Sequence, residues 1–161
     1  MASILKVDTI QHTNGTEALT IDTSGRIKQP QIPAACFHYQ GGNLAGAAIV
    51  PLNTQSVLQG GMTMSSNAIT VPVTGLYSIG WHHLANGTSA NAVFFIRING
   101  AHNSDLPHGW ATQFRPSHSN NNFSAQTIAS LSANDTVDFY VSSGSIHGNA
   151  DYNSMFVYLL G

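Results

Sequence analysis

The residues of this 161-residue chain best suited to chemistry are its eight histidines and its single cysteine. Two histidines, His82 and His83, are adjacent in the run VTGLYSIGWHHLA, Val73 to Ala85. A metal site on one strand takes His-x-His, because residues two apart share a face, whereas adjacent residues point to opposite sides. The only glutamate, Glu17, lies far away near the N-terminus. A mononuclear centre within one chain is therefore not expected. Three imidazoles come together only if His82 or His83 meets its symmetry mates on a three-fold axis, which would make a three-nitrogen metal site. The competing reading is a neutral histidine, hydrogen-bonded near an interface. Hydrolysis of a glycosidic bond usually needs two paired carboxylates. The main part of the chain offers Asp105, Asp135, Asp138 and Asp151, and nothing marks a pair among them. Asp135 reads as a turn residue and Asp138 as a residue of an outward strand face. Cys36 reads as a small buried apolar residue. With no serine elbow and no phosphate-binding glycine loop, the expectation is a non-enzyme without a cofactor.

Recognition is better represented than catalysis. Residues 101–122, AHNSDLPHGWATQFRPSHSNNN, are long for a hairpin connection, and long loops are often functional. Trp110, His108, Arg115, His118 and Asn120 make an aromatic and polar set suited to a sugar or surface polymer. The alternative is that Trp110 and Phe114 anchor an intermediate strand. Tyr152 and His147, in the stretch from Ser142 to Asn153, form a second candidate tip.

These residues must be positioned by strands. Charged residues make up 7% of the chain, far below the roughly 25% of ordinary soluble proteins. The net charge is −2 with no basic patch, so nucleic acid is not an expected partner. No apolar run approaches the ~18 residues of a membrane span, and the start has no charged-then-apolar signal pattern. These features predict a protein made in a cytoplasm and not inserted in a membrane. Residues 1–28 read as short β-runs, broken by turns at Asn14-Gly15 and Ser24-Gly25, with too few large apolar residues to fold alone. Residues 29–33 form a proline-marked linker. From residue 34 to 161 the pattern is all-β, with strands expected near 34–40, 48–52, 55–59, 67–72, 75–85, 91–99, 123–131, 136–142 and 153–160. Such spacing implies a sandwich or jelly roll.

Two strands look apolar on both sides. In the first, Tyr77, Ile79, Trp81 and His83 face one way, and Leu76, Ser78, Gly80, His82 and Leu84 the other. In the last, Met155, Val157 and Leu159 oppose Phe156, Tyr158 and Leu160. A sandwich strand has one face in its core, so the second face needs another cover, and further copies of the chain are the economical one. Burying six such side chains would contribute on the order of 10 kcal/mol per subunit before ordering costs. The interface candidates are Tyr77, Ile79, Trp81, His82, His83, Phe156, Tyr158 and Leu160.

The segments AITVPVTGLYSIGWHH, FFIRINGAHNS, TIASLSANDTVDFYVSSG and MFVYLLG resemble the tumour-necrosis-factor-like jelly roll, in its complement globular-head branch. The matching positions are Thr70, Pro72, Gly75 and Tyr77, then Leu131, Asp135 and Val137, and finally Phe156. Asn134 replaces the glycine usual in that turn, a swap that positive φ tolerates. The resemblance covers about residues 34–161 and implies a compact homotrimer with Phe156 near the axis. The stretch ILKVDTI…NGTEALTIDTSGRI resembles N-terminal segments of fibre proteins from tailed bacteriophages, especially those of marine bacteria and cyanophage type. That resemblance implies a virion-attachment or stem segment, with Ile4, Leu5, Val7, Ile10, Leu19 and Ile21 as attachment candidates. The expected function is that of a trimeric fibre on the virion surface, assembled in the host cytoplasm, which contacts a host glycan or protein through its head. Its partners would be its own copies and other virion proteins. A capsid decoration or head-fibre protein is the nearest alternative, and a soluble bacterial lectin the alternative of another class.

Overall fold

A computed structural model describes residues 7–29, 31–87, 92–101, 111–114 and 121–161, with Ala92 and residues 111–114 described by their backbone. The strands in chain order are β1 (Thr9–Gln11), β2 (Glu17–Ile21), β3 (Ile27–Lys28), β4 (Ala34–His38), β5 (Leu44–Ala45), β6 (Ala48–Ile49), β7 (Thr54–Gln59), β8 (Thr63–Ser65), β9 (Ala68–Thr70), β10 (Gly75–Leu84), β11 (Ala92–Ile98), β12 (Ala111–Phe114), β13 (Asn122–Leu131), β14 (Thr136–Ser143), β15 (Ser145–Ile146) and β16 (Asn153–Leu159). The first three form a small antiparallel sheet of their own. The rest build a sandwich. One sheet has the order β13-β10-β16-β4-β7, and the other β12-β11-β14-β9-β8 with β6 also on β14.

Side-chain alternation produces the core. Phe37, Tyr77, Ile79, Trp81, Met155 and Val157 point inward from the five-stranded sheet, and Ile69, Phe94, Ile96, Val137, Phe139 and Val141 from its partner. Asn99 (φ 53°) and Gly100 (φ 73°) both take positive φ, which gives the tight Asn-Gly turn that closes Ile98 onto Ala101. The turn before β14 carries Asn134 at φ 73°, where the Asp135 carboxylate accepts from the Ser132 N–H at 2.8 Å and from Asn99 Nδ2 at 2.9 Å. Asparagine thus fills the place of the missing glycine.

Three expectations change. Tyr77, Ile79, Trp81 and His83 are not on any surface open to another subunit. They line the core of their own chain, because their face of β10 looks across at β11 and β14. Asp138 does point away from the core, yet it is buried. Arg97, its neighbour across the strands, binds it through two bonds, Nε to Oδ1 at 2.6 Å and NH2 to Oδ2 at 3.0 Å. The same guanidinium lies 4.5 Å over the Tyr140 ring. Cys36 is half-buried on the outer face, opposite Phe156 and Val57 in the register, and burial pushes its thiol pKa up. Within 101–122, β12 pairs with β11, in keeping with the intermediate strand that stood as the alternative to a single loop.

Candidate functional site

The outer face of the five-stranded sheet carries several of the large hydrophobic side chains that stand exposed among the described residues. Its side chains are set by register. Ser78 stands between Ile128 of β13 and Tyr158 of β16, and Gly80 between Gln126 and Phe156. Gly80 lacks a side chain for a reason of space, because a Cβ there would run into the Phe156 ring. Phe156 therefore lies down over β10 and covers the centre of the face. Gln126 Nε2 donates to Ser78 Oγ at 2.7 Å and satisfies the one hydroxyl beneath. Around this centre, large apolar side chains remain open. Ile128 is 61% exposed, Leu160 51%, Leu76 50% and Tyr158 42%. Of the expected interface residues, Phe156, Tyr158, Leu160 and half-buried His82 are on this face. Leu76 and Ile128 join them. Leu76 was visible in the alternation, whereas Ile128 becomes a neighbour only through the β10–β13 register.

The two histidines part company. His82 looks outward beside Ser124 and Ser154. His83 is fully buried, 5.0 Å from Trp81 and 5.9 Å from Phe123 between ring centroids. Burial, with the His82 charge as the lesser cause, lowers its pKa to about 3. Neither of its nitrogens has a hydrogen-bond partner among the described residues, so His83 is not the hydrogen-bonded histidine expected near an interface. An axial metal site at His83 is excluded by its position in the core. Among the described residues no group of three His, Cys, Asp or Glu could hold a metal ion within one chain.

The sandwich has two distinct poles. The chain enters at one, where Pro33 O accepts from Leu159 N at 3.0 Å and Gly161 O accepts from Leu76 N at 2.8 Å. At the distal pole Ala85 N donates to Asn121 O at 2.9 Å and His147 N to Leu84 O at 3.0 Å. Asn153 fastens this end. Its Oδ1 accepts from Tyr39 N at 2.6 Å, while its Nδ2 donates to Tyr39 O at 2.9 Å and Asn149 O at 2.7 Å. Tyr152, 44% exposed on the 3₁₀ turn Ala150–Tyr152, stands 6.0 Å from the His147 ring. His108, Trp110, Arg115, His118 and Asn120 lie outside the described residues. The backbone positions that bracket residues 115–120, Phe114 and Asn121, are both at the distal pole, since Phe114 pairs with Ala92 and Asn121 with Ala85.

Of the attachment candidates, Ile10 lies in β1 and Leu19 and Ile21 in β2, Val7 precedes β1, and Ile4 and Leu5 lie outside the described residues. No helix of the described chain is long and apolar enough to cross a membrane.

No family model matches the sequence, and no curated protein matches it. Among solved structures the chain is similar to that titled "Structure of Eiger TNF from S. frugiperda". The TM-score is 0.59 at 14% identity, over 81% of this chain and 94% of that one. The fold is the tumour-necrosis-factor-like jelly roll. At this identity the likeness speaks to the fold alone. In this fold Tyr77 and Val137 lie in the core, and Phe156 lies on the outer face of the five-stranded sheet.

Proposed function

We propose that the protein is a non-enzymatic, homotrimeric surface protein of a tailed-phage virion. In this reading residues 1–28 attach to the particle, and the jelly-roll head projects from it to contact the host surface. One observation carries the assembly. Leu76, Ile128, Tyr158 and Leu160 form an open apolar cluster on a sheet whose other face already fills the core. Burying the exposed parts of such side chains contributes on the order of 1 kcal/mol each, repeated in every subunit. Domains of this fold commonly trimerise, and the interface would comprise these residues with Phe156 and His82. The pole arrangement supports display. The attachment segment enters at one end, and Tyr152, Phe114 and Asn121 stand at the other. The virion setting rests on the resemblance of the N-terminal segment to phage fibre proteins.

The test has two parts. Sedimentation of the purified chain should give three times the 17.1 kDa monomer mass at micromolar concentration. The protein should co-purify with particles, and deletion of residues 1–28 should remove it from them. A folded monomer, or a protein absent from particles, would refute the proposal.

A further inference from the structure

We infer that the N-terminal sheet is a trimeric stem, in which the apolar face of each copy is covered by the same face of its two sisters. This rests on the trimeric reading of the head. In β1–β3, Ile10 pairs with Leu19 and Ile21 with Ile27. Leu19 and Ile21 are two residues apart, so all four share one face. Thr9, Thr20 and Lys28 occupy the other, through the pairs Thr9–Thr20 and Thr20–Lys28. The sheet is thus two-sided in chemistry and one layer thick. Ile27 is 65% exposed and Ile10 47%. A small sheet with a bare apolar face has no stability of its own and needs a second layer.

The turn between β2 and β3 is ordered without a core. Asp22 accepts from the N–H groups of Ser24 at 2.9 Å and Arg26 at 3.0 Å, and from Arg26 Nε at 2.8 Å. These bonds, led by that from the Arg26 N–H, hold the Asp22 pKa below its usual value. The face is therefore presented in a fixed shape.

The tether identifies what covers it. Pro33 O accepts from Leu159 N, and Ile32 O from Gln59 Nε2 at 3.2 Å. Gly60 packs so closely on the Ile32–Pro33 peptide that a Cβ has no room there. The linker is thus locked to the very sheet that carries Tyr158 and Leu160. From Lys28 to Ile32 is four residues, about 14 Å at full stretch. Heads joined through that sheet hold their stem sheets on short leashes, at an effective concentration around the millimolar range. Sister copies are then the nearest apolar surface available, and the stem continues the head interface.

Thiol labelling of the full chain in a Cys36→Ser background tests this. In a single chain Ile27 and the Lys28 side chain are both largely exposed. An uncovered face therefore predicts comparable maleimide rates for Ile27→Cys and Lys28→Cys, each normalised to its rate in urea. The stem predicts a trimer in which Ile27→Cys reacts about tenfold more slowly than Lys28→Cys, with Ile10→Cys also slowed. A trimer with comparable rates overturns the stem and leaves the head assembly standing. A monomer overturns both.

Discussion

His83 and Trp81 place three polar nitrogens inside a cluster of rings that includes Phe94 and Phe123, without a hydrogen-bond partner among the described residues. The cost is paid most visibly in acid. The folded pKa of His83 lies near 3, whereas an unfolded chain titrates near 6.5. Above pH 6.5 both states are neutral and the group has no effect on the balance. As pH falls from 6.5 towards 3 only the unfolded state takes up the proton, so folding weakens by up to ~1.4 kcal/mol per pH unit. His83→Leu should flatten the pH dependence of the urea midpoint between pH 6.5 and 4.5, and an unchanged slope would contradict this account. Asn153 is the opposite kind of buried polar group, satisfied at both ends by Tyr39. Asn153→Ala leaves that backbone pair bare, and should cost about 2–3 kcal/mol in thermal or denaturant unfolding. Neither role was legible in the sequence. Asn153 looks like any residue at the start of a strand, and its partner lies 114 positions away.

At the scale of strands, the alternating pattern was enough to find β4, β7, β10, β11, β13, β14 and β16. The Asn99-Gly100 turn was legible for the same reason, since few dipeptides take two positive φ values cheaply. What alternation does not contain is the identity of the buried side when both sides are apolar. In β10 that choice is made by what lies opposite, and Tyr77, Ile79, Trp81 and His83 went to the core. The glycine at position 80 held the missing hint, as a gap on the outer side that only a ring from the adjacent strand fills. β12 was legible only as the alternative of an intermediate strand around Phe114, because its four residues, Ala-Thr-Gln-Phe, alternate too briefly to decide the matter. The outer-face assignment is directly testable. Ile128 is largely exposed in the single subunit, so Ile128→Asp should change subunit stability by within about 0.5 kcal/mol. In the proposed trimer the same change would set like charges into the apolar cluster of every copy, and should give a folded monomer by sedimentation and circular dichroism. A stable trimer of Ile128→Asp would move the interface elsewhere.

For the whole molecule, the scarcity of charge sets how assembly responds to its surroundings. Arg97 is already engaged with Asp138, and Arg26 and Lys28 with Asp22. In the proposed trimer the outer face of the five-stranded sheet would be held by apolar contact, which salt does not screen. The dissociation midpoint of the trimer should therefore be unchanged or slightly raised between about 0.05 and 1 M sodium chloride, and a marked fall would mean that ion pairs carry the interface. One consequence concerns force. β4 leaves the linker directly and runs between β16 and β7, bonded to both. In the proposed virion setting, a pull between the attached end and the distal pole would run along that strand and load its two ladders in shear. Their bonds would then resist together instead of unzipping one at a time.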